Sequence, residues 1–341
     1  MSVEDMPRVR LANLPTPLQE MTRLSRLLGG PRLFIKRDDL TGLALGGNKL
    51  RMLEYLIGDA LNKGADTIIT SGYLQSNHCR LTAAAARMAG LEPVIVFNEE
   101  CPKKFSGNMI INHFFGAKMY FVSAEKKSLS PQQYHEECAK KSDQLVQEIS
   151  RKLKKEGKKP YVIPRGGRSL FGTAGYFTAT IEIYHQLLDI GIKASYFVLP
   201  VASNGTITGL ILGSQALSLE NKVLGFSVLR YASDAKKLIM EEIEKDAISL
   251  GYKFPLDREK FDINDSYIGD GYAIPSKEGM QAMKLLARTE GILLDPTYTG
   301  KAMAGLIDMI RKGYFHKDDK IVFIHTGGLP ILFADYLADY L

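Results

Sequence analysis

The chain has 341 residues, 45% hydrophobic and 24% charged, which is ordinary for a soluble globular protein and long enough for two α/β domains. Its 44 basic and 38 acidic residues leave a net charge of +6, spread through lysine-rich stretches such as 152–159 and not along an aromatic-studded stripe, which argues against nucleic-acid binding. Cys79, Cys101 and Cys138 have no CxxC spacing, so no disulfide framework and no metal site is expected; no run approaches the roughly 18 apolar residues that span a bilayer.

In chain order, the first 30 residues carry Glu4, Asp5 and several prolines but no apolar core of signal-peptide type, so the cytoplasm is the expected compartment. Strands are predicted at 33–36, 67–70, 93–97, 118–122, 161–164, 196–199, 222–228 and 321–324, with helical patterns of 10 to 25 residues between them. This alternation predicts an α/β fold of two doubly wound parallel-sheet domains. A Gly-rich break at Gly166-Gly167 divides the strands into two sets. The expected division is a larger domain from residues 1–52 plus 165–341 and a smaller inserted α/β domain from 53–164.

The run Leu45-Gly46-Gly47-Asn48-Lys49 puts one lysine directly after a Gly-Gly-Asn turn, at the start of a helix. Glycines let backbone approach a flat ligand, and a helix N-terminus disfavours an ammonium, so Lys49 is well placed to form a Schiff base. Read alone, the run fits a surface helix that begins with lysine equally well. Ligands bind beyond the carboxyl ends of parallel strands, where three further loops sit. Gln75-Ser76-Asn77-His78 offers a hydroxyl and two amides between a strand and a helix. Ala202-Ser203-Asn204-Gly205-Thr206 opens the helix Ile207–Leu217 as an anion cup without the spacing of GxGxxG or a Walker lysine. His325-Thr326-Gly327-Gly328 follows the last strand. Asp295-Pro296-Thr297-Tyr298-Thr299-Gly300-Lys301 begins another helix with an aromatic that can lie on a ligand ring, and Tyr272 supplies a second phenol. The loop at 75–78 reads equally as an N-cap and both tyrosines as half-buried core, whereas a cap alone rarely needs as many small polar residues as 202–206 carries. His78 reads as a packing or hydrogen-bonding residue.

A Schiff-base lysine, an anion cup, a stacking surface and a polar partner for a ring nitrogen are together what pyridoxal 5′-phosphate requires. On these motifs, in this order, the chain resembles the type II pyridoxal-phosphate enzymes, which share the fold of the tryptophan synthase β-subunit. Within them it is similar to the family of 1-aminocyclopropane-1-carboxylate deaminase and D-cysteine desulfhydrase. The resemblance runs from Leu14-Pro15-Thr16-Pro17-Leu18 through Lys36-Arg37-Asp38-Asp39 to His325-Thr326-Gly327-Gly328. It implies that Lys49 carries the cofactor and moves the Cα proton. Asn77 would bond the cofactor's 3′-oxygen. Ser76, with Gln75, would hold the substrate carboxylate, and Ser76 would relay a proton opposite Lys49. Ala202, Ser203, Asn204, Gly205 and Thr206 would bind phosphate, Tyr298 would stack on the ring, and Tyr272 would line the substrate side. Relatives often carry a second, phosphate-side lysine three positions after the first; here that position is Met52. A small amino-acid substrate and a homodimer are implied by the resemblance alone.

Two positions bear on the reaction. Where the cyclopropane deaminases have Glu after the stacking tyrosine, this chain has Thr299, and where they have Leu in the His-x-Gly-Gly loop it has Thr326. A carboxylate beside the ring nitrogen keeps it protonated and makes a strong electron sink; a neutral hydroxyl makes a weaker one, sufficient when Cβ carries a leaving group. Thr326 also suits a small hydrophilic substrate. The pattern resembles the desulfhydrase branch. It implies α,β-elimination of D-cysteine to pyruvate, hydrogen sulfide and ammonia, with Tyr272 or Tyr298 assisting the departing thiol. Open alternatives are a cyclopropane deaminase, a lyase for L-cysteate or another β-substituted amino acid, and a non-catalytic small-molecule-binding α/β protein.

Overall fold

Alternate residues of the central strands face opposite ways, and both faces are covered. The computed structural model describes residues 2–124, 131–252 and 256–340. Among them the strands are β1 (Leu18–Glu20), β2 (Arg32–Lys36), β3 (Thr67–Gly72), β4 (Glu92–Phe97), β5 (Lys118–Phe121), β6 (Pro160–Val162), β7 (Tyr196–Val201), β8 (Lys222–Ser227), β9 (Phe261–Asn264) and β10 (Lys320–Ile324). The helices are α1 (Thr22–Leu28), α2 (Lys49–Asn62), α3 (Asn77–Met88), α4 (Asn108–Phe114), α5 (Pro131–Lys155), α6 (Leu170–Asp189), α7 (Gly205–Ala216), α8 (Ala232–Ser249), α9 (Lys277–Glu290) and α10 (Thr299–Arg311). Six strands pair in the order β1-β2-β10-β7-β8-β9, and four in the order β5-β4-β3-β6.

In the larger sheet, Phe34, Phe197, Leu199, Val322 and Ile324 pack toward α2, α6 and α7. Leu33, Ile35, Val198, Ile321 and Phe323 point the other way, toward α9 and α10. A large side chain buried this fully stabilises the fold by roughly 1.5–3 kcal/mol, which is why these runs read as nearly continuous apolar strands. In the smaller sheet, Ile95 and Phe97 meet α3 and α4, while Val94 and Val96 meet α5. The chain is therefore mixed α/β with two largely parallel sheets.

All eight predicted strands are present. Two more were not predicted. β1 pairs antiparallel with β2, which corrects the all-parallel expectation for the larger sheet. β9 pairs with β8 at the other edge. Both are short and half-exposed, so neither presents a β-branched run. The expected domain boundary between 52 and 53 falls inside α2, a continuous helix whose residues 50–60 are buried. Close packing fixes that helix. A Cβ on Gly175 of α6 would lie 2.5 Å from the Arg51 carbonyl oxygen.

Arg51 also anchors α2 electrostatically. Its Nη2 donates to Asp38 Oδ1 and Glu182 Oε1, both at 2.8 Å. Lys36 joins Glu182 in the same cluster. Burial opposes ionisation of Asp38, yet Arg51 and Lys36 hold its carboxyl below the usual range. A buried pair costs most when one partner is removed, so this cluster locks the position of Lys49 two residues away.

Candidate active site

The carboxyl ends of β3, β6, β7, β8 and β10 converge on the turn before α2, and a cavity of about 520 Å³ opens there. Ligand sites of parallel sheets lie at such ends. Lys49, Ser76, Asn77, Ala202, Ser203, Asn204, Thr206, Tyr272, Tyr298 and Thr326, all singled out from sequence, line it.

Lys49 is the first residue of α2. Its Nζ donates to Ser203 Oγ at 2.6 Å and to the Gly166 carbonyl at 3.0 Å. Enclosure by the cavity walls makes the ammonium costly, and burial lowers its pKa from 10.5 to about 8. The turn that aims it is held from elsewhere. Ala44 and Leu45 adopt positive φ values of 47° and 66°, conformations that cost roughly 1–3 kcal/mol each. Arg80, buried on α3, donates to the carbonyls of Ala44 and Gly46 and so braces them. The Thr326 carbonyl accepts the Asn48 N–H at 3.0 Å. A Cβ on Gly327, whose φ is +91°, would lie 2.7 Å from Gly47 Cα, so only glycine lets these two loops touch.

The cup is the start of α7. Thr206 Oγ1 accepts from Asn48 Nδ2 at 2.9 Å, tying the cup to the lysine turn. Both amide atoms of Asn204 are buried without a hydrogen-bond partner. Met52 reaches behind the cup, its methyl 2.4 Å from where a Cβ on Gly205 would stand.

Across the cavity, Ser76 caps α3 by accepting the Cys79 N–H at 3.2 Å, which leaves its hydroxyl proton to donate elsewhere. Asn77 Oδ1 accepts from Asn108 at 3.0 Å and is thereby oriented. Thr70 donates its hydroxyl proton to the Ile163 carbonyl and so accepts from His78 Nε2 at 2.8 Å. Burial, with Lys49 nearby, lowers the His78 pKa to about 3, so the ring is neutral. Burial raises the Cys79 thiol to about 12, which removes it as a nucleophile.

Tyr272 and Tyr298 share a hydrogen bond between their hydroxyls. Burial, and then the partner phenol, raises the Tyr272 pKa well above its usual value; burial likewise raises that of Tyr298. Both phenols keep their protons at neutral pH and serve as donors. Lys301 holds the loop bearing Tyr272 by donating to the carbonyls of Ile268 and Gly271 at 2.6 and 2.8 Å.

Three expected contact residues stand outside the wall. Gln75 is spent on Asn108 N and Ser106 O. Gly205 backs onto Met52. Thr299 is fully buried, and its hydroxyl accepts from Asp295 N at 2.8 Å and donates to Asp295 Oδ1 at 2.7 Å. Thr326, unlike Thr299, lines the cavity, as does Tyr298. The sequence reading passed over Tyr73, Arg165, Arg168 and Arg230, which also line the cavity. A signal existed for the arginines: each follows the carboxyl end of a strand, the rule that selected the other loops.

The model of the family described as pyridoxal-phosphate dependent enzyme matches residues 9–327. The chain belongs to the pyridoxal-phosphate dependent enzymes. It is 40% identical over 333 residues to a D-cysteine desulfhydrase of Yersinia pestis (strain Pestoides F), covering 96% of each chain. A crystal structure of an ACC deaminase homologue superposes with a TM-score of 0.87 at 37% identity, over 99% of this chain and 96% of that one. A T.th. threonine deaminase, at 20% identity and a TM-score of 0.61 over 92% of each chain, shares the fold.

The residues present fit the family's cofactor. A lysine amine of lowered pKa faces the cavity. Unsatisfied Asn204 and the first turn of α7 form a polar cup beside it. Gly166 leaves room against the amine, since a Cβ there would collide with Ser203 and stand 3.9 Å from Lys49 Nζ. Among the described residues no cluster of His, Cys, Asp or Glu is arranged for a metal, and no helix is long and apolar enough to cross a membrane.

Proposed function

We propose that this chain eliminates sulfide from D-cysteine, so that D-cysteine and water become pyruvate, hydrogen sulfide and ammonia. The observation that carries this reading is one cavity lined by a lysine amine near neutrality and by two phenols that hold their protons. The 40% identity to a D-cysteine desulfhydrase over 96% of the chain supports the choice of substrate. Pyridoxal phosphate, once bound, supplies the electron sink that acidifies the Cα proton and lets a β-substituent depart.

In this reading Lys49 takes the Cα proton, because its neutral form is well populated near pH 8. Ser76 and Asn77, at the first turn of α3, orient the substrate carboxylate toward exposed N–H groups. Gln75 shapes that turn from behind through Asn108. Tyr298 would lie against the ring, and Tyr272 or Tyr298 would give its proton to the departing sulfur. The polar partner at the ring end is Thr326, a neutral hydroxyl, since Thr299 is committed to Asp295. A neutral partner suits a substrate with its own leaving group. The lobe carrying β3 to β6 and the remainder, which keeps the whole of α2, act as two units around the ligand, and the working form is a cytoplasmic homodimer.

A panel of D- and L-cysteine, β-chloro-D-alanine, L-cysteate and 1-aminocyclopropane-1-carboxylate, scored for keto acid and sulfide, tests this. D-Cysteine and β-chloro-D-alanine are expected to lead in kcat/KM by at least about 10-fold. Preference for the cyclopropane would contradict the role of the neutral hydroxyl. Preference for an L-amino acid would contradict the stereochemistry.

A further inference from the structure

Four cationic side chains line the cavity, and three already have work. Lys49 is the cofactor's amine. Arg165 Nη2 donates to Asp143 Oδ1 at 2.7 Å. Arg168 is paired with Glu242. Arg230 differs. Among the described residues it has no salt-bridge partner, and its Nη1 donates instead to the Ala202 carbonyl at 2.7 Å. Ala202 is where the cup begins.

The position of Arg230 is fixed by the fold. It follows β8, the neighbour of β7, which delivers the cup. Its own N–H donates to Ser227 Oγ at 3.1 Å and closes the turn. The cup supplies only neutral groups, Ala-Ser-Asn-Gly-Thr, and Met52 behind it brings a thioether. Burial and the like charges of Arg168 and Arg165 make a bare guanidinium costly here, which an anion would relieve.

We propose that Arg230 is the cation that binds the phosphate monoester of pyridoxal phosphate, beside the backbone of residues 202–206. Guanidinium matches phosphate geometry through parallel N–H donors and adds a full positive charge, which backbone N–H groups do not carry. The proposal rests on the family's cofactor and not on the choice of D-cysteine as substrate.

The test titrates full-length apoprotein with pyridoxal phosphate and, separately, with pyridoxal, which lacks the phosphate, following visible absorbance. Arg230→Met is expected to weaken pyridoxal phosphate binding by about 10- to 100-fold and to leave pyridoxal binding unchanged. Retained pyridoxal binding also shows that the variant folds. Arg230→Lys is expected to recover part of the loss. Equal weakening of both ligands, or of neither, would overturn the proposal. So would a raised KM for D-cysteine at saturating cofactor with pyridoxal phosphate affinity intact, since the guanidinium would then serve the substrate. A wild-type protein that takes up neither ligand would bring down the cofactor reading itself.

Discussion

Lys49→Ala is expected to lower elimination of D-cysteine by at least about 10⁴-fold, because it removes the amine proposed both to attach the cofactor and to act as the base. Folding should survive, since Lys49 Nζ bonds only Ser203 and the Gly166 carbonyl and sits outside the buried ion cluster. Its pH behaviour follows from the lowered pKa. Only the neutral amine can attack an aldehyde. Cofactor loading of wild-type apoprotein should therefore rise about tenfold per pH unit below pH 8 and level off above it. A lysine at the ordinary 10.5 would keep accelerating well beyond that point. Stopped-flow absorbance across this range checks the prediction, and a rate still climbing far above pH 8 would contradict it.

Tyr272→Phe is expected to reduce kcat for D-cysteine by about 100-fold and to spare β-chloro-D-alanine. Chloride leaves without a proton, whereas a substrate bound as its thiolate would have to expel S²⁻ and so takes a proton at sulfur to leave as hydrosulfide. Burial raises the Tyr272 pKa well above its usual value, so the phenol is a donor and not a base. Its hydroxyl contact with Tyr298 gives the spent proton a neighbour from which it is replaced. Parallel kinetics on the two substrates decide the matter. An equal loss on both would mean that Tyr272 acts by shape and not by proton donation.

Much of this site is legible in the chain because its parts are local. Gly46-Gly47-Asn48 and Lys49 are adjacent, and a strand end followed by small polar residues marks 75–78, 202–206 and 325–328 without knowledge of the fold. What escapes is commitment between distant residues. Thr299 looks like a ring-nitrogen contact until Asp295 takes its hydroxyl at both ends. Gln75 looks like a substrate ligand until Asn108 occupies it. Arg80 lies more than 30 residues from the carbonyls of Ala44 and Gly46 that it braces, and no local pattern announces that bond. Arg165 and Arg230 come from strands in different sheets and meet only in the cavity. The strands were visible because burial on both faces leaves unbroken apolar runs; β1 and β9 were not, because half-exposed edges leave none.

Borohydride reduction of the holoenzyme, followed by peptide mass mapping, bears most directly on the chemistry assigned to the cavity. Among the described residues Lys36 and Lys301 are the fully buried lysines, and each is engaged elsewhere, Lys36 with Glu182 and Lys301 with the 268–271 carbonyls. The pyridoxyl group is expected on Lys49 alone; finding it on Lys36, on Lys301 or on no lysine would contradict the account.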